Sequence, residues 1–203
     1  MGARAAFILA GGKSSRMGSD KAFLPFGETT LLERALGLAR SVVSEVWIVG
    51  DPSRFASYAP TIKDTFEECG PLAGIHAALC NSAADLNLIL AVDLPFVQTQ
   101  LLQYLFDDAH KSGVIVTVPR AGGRYQPLTA IYRREFLPVA EQALRNDKLR
   151  IDLLFPQVQT RIVEEEELLR NGFSPELFRN LNTPEDLARA TQEYAATKPP
   201  RSH

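Results

Sequence analysis

Ala5-Ala6-Phe7-Ile8-Leu9-Ala10-Gly11-Gly12-Lys13-Ser14-Ser15-Arg16-Met17-Gly18-Ser19-Asp20-Lys21 is the stretch on which the reading of this chain turns. Its opening is an unbroken apolar run, the pattern of a strand buried on both faces of a parallel sheet. The run ends abruptly in Gly11-Gly12, which suits a strand end better than a signal peptide. Two adjacent glycines remove side chains where backbone N–H groups must approach an anion or a flat base. Lys13, Arg16 and Lys21 then bring three cations together, enough to neutralise a triphosphate. Two familiar glycine motifs are excluded. A P-loop ending at Gly12-Lys13-Ser14 needs a glycine where Phe7 stands, and G-x-G-x-x-G does not occur in the stretch.

Outward from this loop, short apolar runs alternate with helical patterns. Strands are expected at Ala5–Leu9, Glu45–Val49, Asn87–Ala91, Val114–Val118, Leu128–Tyr132 and, more weakly, Thr160–Val163. Helices are expected at Gly74–Cys80, Thr99–Lys111, Arg134–Arg145 and Pro184–Tyr194, and after Thr30, whose spacing to Glu33 is that of a capping box. This alternation predicts an α/β fold: a single domain with a mainly parallel, Rossmann-like sheet and helices on both faces. The expected organisation is one domain over 1–194, with a nucleotide-binding half at about 1–119 and an acceptor-binding half at about 120–194. Residues 195–203 have no core-forming pattern and read as a flexible tail.

Composition agrees with a cytoplasmic enzyme. With 203 residues, 45% of them hydrophobic, the chain can bury a sizeable core without metal or disulfide staples. Lys and Arg number 22 against 24 Asp and Glu, which excludes gripping nucleic acid by bulk basicity. No run approaches the ~18 apolar residues of a membrane span. Cys69 and Cys80 are too few for a disulfide framework or a four-thiolate zinc site, and read as buried reduced thiols.

The second chemical signal is Asn87-Leu88-Ile89-Leu90-Ala91-Val92-Asp93-Leu94-Pro95-Phe96. A buried strand ending in a carboxylate places Asp93 at the carboxyl edge of the sheet, where α/β proteins bind ligands. A lone carboxylate there suits Mg²⁺, which takes one or two protein oxygens and otherwise water and phosphate.

Together these motifs resemble the molybdenum cofactor guanylyltransferases, a branch of the nucleotidyltransferase superfamily. The opening loop is similar to their L-x-G-G-x-S-x-R-M-G-x-D-K signature. The likeness continues through Gly70-Pro71-Leu72-Ala73-Gly74, the Val92–Phe96 turn, Gln126-Pro127-Leu128 and Asn180-Leu181-Asn182-Thr183-Pro184-Glu185-Asp186-Leu187, spanning about residues 5 to 190. Gly12 and the closing Asn-x-Asn tilt it toward the guanylyl branch. The resemblance implies a nucleotide-diphospho-sugar transferase-like fold and transfer of GMP from GTP to the terminal phosphate of molybdenum-molybdopterin. It implies that Leu9, Ala10 and Gly11 meet the guanine through backbone groups, that Gly12 belongs to the same nucleotide-binding loop, and that Lys13, Arg16 and Lys21 hold the phosphates. Asp64 matches a nucleotide-contacting aspartate, and Asp93 the Mg²⁺ ligand. Arg16, Lys21 and Asp93 are thus the expected catalytic residues. Further partners on this reading are molybdoenzyme apoproteins or cofactor-delivery proteins, with neither nucleic acid nor membrane. The chain departs from the family at Val49-Gly50-Asp51, where relatives often carry an asparagine.

Other candidates have plainer readings. His76 and His110 lack a Cys or His partner at ligand spacing and read as structural. Glu164–Glu167 reads as a solvated helix start. Arg145, Lys148 and Arg150 read either as a solvated face or, by the resemblance, as contacts for the second substrate's phosphate. Two alternatives stay open: a related nucleotidyltransferase using CTP or a sugar-phosphate acceptor, and a non-catalytic nucleotide-binding regulator.

Overall fold

The computed structural model of the chain describes residues 2–11, 21–66 and 68–197. In chain order, β1 (Arg4–Leu9) is followed by a short hairpin, β2 (Pro25–Phe26) and β3 (Thr29–Thr30), then α1 (Leu31–Arg40), β4 (Glu45–Val49), α2 (Pro52–Phe55) and β5 (Thr61–Ile62). Next come α3 (Gly70–Asn81), β6 (Leu86–Ala91), α4 (Thr99–Ser112), β7 (Val116–Ala121), β8 (Arg124–Tyr125) and β9 (Thr129–Tyr132). The chain continues through α5 (Leu137–Arg145), β10 (Thr160–Val163), α6 (Glu165–Arg170) and α7 (Pro184–Thr197). Among the described residues no helix is long and apolar enough to cross a membrane.

The strands form one sheet in the order β10-β7-β9-β6-β1-β4-β5, with β8 paired to β7. β1 runs parallel to β4 and β6, β4 to β5, and β7 to β10. Only β9 on this path runs against its neighbours, β6 and β7. The sheet is therefore mixed but mainly parallel, as the alternating pattern predicts.

Alternate residues of the central strands feed two cores. Ala6, Ile8, Leu88 and Leu90 face α1 and α4, while Ala5, Phe7, Leu9 and Ile89 face α3 and α5. A strand with both faces covered must be apolar throughout, which is why β1 and β6 read as continuous runs. Phe7 is fully buried, a burial worth up to about 3 kcal/mol. The predicted capping box is present at α1: Glu33 N–H donates to Thr30 Oγ1, and Thr30 N–H to the Glu33 carboxylate.

Several boundaries differ from the pattern, α3, β7 and α7 among them. α3 starts at Gly70, so Gly70–Gly74 is the first turn of a helix with Pro71 at its N-terminal end, where a missing N–H costs nothing. β7 lies at Val116–Ala121 rather than Val114–Val118, and Pro119 is tolerated opposite the edge strand β10. α7 runs through Thr197, so the helix extends past Tyr194 into the segment read as tail.

Candidate active site

Because β1, β4, β5 and β6 run in one direction, their carboxyl ends share one edge of the sheet. The backbone there is tightly knit. The amides of Ala10 and Gly11 both donate to the Val49 carbonyl, at 3.1 and 3.2 Å, and Val92 N–H donates to the Leu9 carbonyl at 3.3 Å. Close packing explains two of the glycines. A Cβ on Gly50 would stand 2.8 Å from the Phe55 ring, and one on Gly74 would stand 3.0 Å from the Leu9 side chain. Gly74 thus lets the first turns of α3 settle against the end of β1. Cys69 gives α3 no side-chain cap, and the N-terminal end of a helix favours negative charge at this edge.

Lys21 returns to the same edge on a short 3-10 turn, Lys21–Phe23. Its Nζ donates to Asp93 Oδ2 at 2.7 Å and to Asn182 Oδ1 at 3.2 Å. Both charged side chains are mostly sequestered, Lys21 being 14% and Asp93 18% exposed. Asp93 sits in the turn that follows β6, and its carbonyl accepts from Leu181 N–H at 3.1 Å. Asn182 is steadied from the other side. The Asn182 and Thr183 amides donate to the Asp186 carboxylate, whose own amide donates to Thr183 Oγ1 at the start of α7. Two oxygens from distant parts of the chain thus converge on one ammonium.

Of the residues expected from sequence, Leu9, Ala10, Gly11, Lys21 and Asp93 come together at this edge. Asp64 lies on the loop after β5, half-buried and separated from β6 by two strands. Gly12, Lys13 and Arg16 lie outside the described residues. Asp51 is occupied as the N-cap of α2, accepting from the Ser53 amide and hydroxyl, bonds that hold its pKa down. Asn182 was visible in sequence only as part of a motif. Its pairing with Lys21 spans 161 positions and had no local signal.

Two plainer readings need correcting. Cys80 is exposed rather than buried, since it falls on the outer side of the last turn of α3. Partial desolvation still pushes its thiol up, and burial pushes the neighbouring His76 down. His76 itself packs edge-on against Phe66, a structural role. Nor is the Glu164–Glu167 run simply solvated. Glu165 accepts from Gly122 N–H, and Glu167 accepts from Tyr104 Oη and pairs with Arg161, which also meets Asp108. Arg145 and Arg150 are exposed and paired with Glu141 and Asp152.

Comparison with known proteins follows the same outline. Residues 6–158 match the model of the MobA-like NTP transferase domain. The chain belongs to the MobA-like NTP transferase family. It is 37% identical over 185 residues to a probable molybdenum cofactor guanylyltransferase of Pelotomaculum thermopropionicum, covering 90% of this chain and 89% of that one. A similarly named protein of Carboxydothermus hydrogenoformans is 37% identical over 180 residues, covering 88% and 90%. Among solved structures, the molybdopterin-guanine dinucleotide biosynthesis protein A of Archaeoglobus fulgidus superposes with a TM-score of 0.83 at 25% identity, covering 96% and 100%. A CMP:2-keto-3-deoxy-manno-octonic acid synthetase complexed with CTP shares the fold at a TM-score of 0.70 and 16% identity. As a member of this family the chain is a nucleotidyltransferase, built on the nucleotide-diphospho-sugar transferase-like fold.

Proposed function

We infer that the chain transfers GMP from GTP to the terminal phosphate of molybdenum-molybdopterin, giving the guanine dinucleotide cofactor and pyrophosphate in the cytoplasm. The observation that carries this reading is the Lys21–Asp93–Asn182 cluster at the carboxyl edge, beside the Leu9–Gly11 strand end. The acceptor phosphate has a second pKa near 6, so its attacking oxygen is largely ionised at neutral pH. It attacks the α-phosphorus of GTP, and the bond from that phosphorus to the β-phosphate oxygen breaks. No protein base is required. What the residues must provide is alignment and neutralisation of charge.

Lys21 does this directly, as a cation poised at the strand edge where the phosphates would lie. Arg16 and Lys13 extend the same neutralisation along the triphosphate. With the Ala10 and Gly11 amides committed to Val49, hydrogen bonds from this stretch to the guanine fall to carbonyl oxygens, which match its N1 and N2 donors. Asp64 would add a carboxylate acceptor to that edge of the base. The donor set fits Mg²⁺: among the described residues there is no cluster of three potential metal ligands, but one carboxylate, Asp93, lies beside the phosphate-facing lysine. Bound Mg²⁺ supplies Lewis-acid neutralisation of the triphosphate, and Asp93 is the residue that would hold it. Nucleotide binding also gives the Lys21 ammonium new anionic partners, freeing Asp93 Oδ2.

The test is pyrophosphate release from GTP, CTP and UTP with Mg²⁺, using molybdopterin and sugar-phosphate acceptors. Turnover confined to GTP and molybdopterin supports the reading. Equal kcat/KM for GTP and CTP would refute guanylyl choice, and GTP binding without pyrophosphate release would point to a regulator.

A further inference from the structure

The turn that carries Asp93 has little regular structure of its own. Its amides make long bonds, Val92 to Leu9 at 3.3 Å and Val97 to Leu94 at 3.4 Å. Besides the Leu181 amide on the Asp93 carbonyl, a side-chain brace grips it. Arg34, on α1, donates from Nε to the Pro95 carbonyl at 2.5 Å and from Nη1 to the Tyr194 hydroxyl at 3.2 Å. The same guanidinium lies over the Tyr194 ring at 4.8 Å and the Phe26 ring at 5.4 Å. Phe26 in turn meets Phe96 edge-on at 5.8 Å, and Arg179 covers the Phe96 ring at 4.4 Å while pairing with Glu193. Four segments, α1, the β2–β3 hairpin, α7 and the turn itself, thus meet at one guanidinium. Its two hydrogen bonds leave from different nitrogens of a rigid plane, an arrangement a lysine cannot reproduce.

We propose that Arg34 is a positioning residue for nucleotidyl transfer: it fixes the Pro95 carbonyl, and so the direction in which Asp93, two residues earlier, presents its carboxylate. This rests on the assignment of Asp93 to the transfer site. A carboxylate displaced by about 1 Å weakens the reacting arrangement far more than nucleotide binding, a loss of up to ~10²-fold in rate. The experiment compares wild type, Arg34→Met and Arg34→Lys in the full chain by two readouts. Hydrogen exchange of peptides over Val92–Val97, β4 and α3 reads the brace. Steady-state pyrophosphate release from GTP reads its effect. Arg34→Met should speed exchange at the turn alone and lower kcat by about 10- to 100-fold, with KM for GTP within about threefold. Arg34→Lys should be intermediate, since an ammonium can still reach Pro95 but cannot bond Tyr194 as well. Wild-type kcat in Arg34→Met, or faster exchange spread evenly over all three peptides, would overturn the proposal. Should Arg34→Met not fold, Arg34→Lys decides: lower kcat with faster turn exchange sustains it, and wild-type values for both overturn it. No turnover in the wild type would count against the assigned reaction instead, and turn exchange would still report the brace.

Discussion

Lys21 and Asp93 form a pair in which each charge offsets the cost of sequestering the other. Asp93→Asn keeps the shape and removes one charge, so the expected result is a folded protein with Mg²⁺-dependent turnover down by ~10²–10³, the loss typical of one preorganised electrostatic contact. Near-wild-type turnover in a folded Asp93→Asn protein would remove Asp93 from the mechanism. Lys21→Ala should lower kcat as well as raise KM, because the ammonium stands beside the carboxylate rather than out along the triphosphate; a change in KM alone would make it a simple binding contact. Asp93 was legible because it lies two residues past an apolar strand, and Lys21, twelve residues past the end of β1, through the glycine-rich motif that follows that strand. Asn182 was legible only through its motif and Arg34 not at all, since Asn182 meets Lys21 and Arg34 meets the turn through fold-backs that no local spacing encodes.

Among the elements, those with a long period were readable and the short ones were not. α1, β4 and β10 fall where spacing puts them, because several apolar positions must agree in phase. β2, β3, β5 and β8 are two residues each, too short to show any alternation, and exist only because a neighbouring strand pairs with them. The α1 cap is a local device with a local effect: Thr30→Ala should lower stability by about 1 kcal/mol in denaturant titration with turnover unaltered. A less local device ties α4, β10 and α6 together through Tyr104, Arg161, Asp108 and Glu167. The Arg161 and Tyr104 hydrogen bonds hold the Glu167 carboxyl below its ordinary 4.5. Its contribution is therefore complete above that pH and is lost as pH falls through the lowered folded value. Wild type should lose more stability than Glu167→Gln between about pH 6 and about pH 3, measured by urea unfolding at each pH; equal losses would show that the carboxylate adds nothing.

On the scale of the whole molecule, the parallel strands bring Leu9–Gly11 and Asp93 to one edge, and on the proposed reading nucleotide choice is a property of that edge as a unit. Adenine reverses the donor and acceptor pattern at positions 6 and 1, leaving sequestered polar groups unpaired at ~1–3 kcal/mol each. GTP should outcompete ATP by at least about tenfold per mismatched contact, read as a kcat/KM ratio. Equal ratios would dissociate the Leu9–Gly11 strand end from base recognition. The sheet itself closes with β10 at Val163, well before the chain supplies Leu181 to the Asp93 carbonyl, Asn182 to Lys21 and Tyr194 to Arg34. During synthesis on the ribosome, then, the strands can assemble while the transfer centre is still missing its last supports. A nascent chain paused after α6 would hold the scaffold of the enzyme without its competence, and activation would coincide with the emergence of α7.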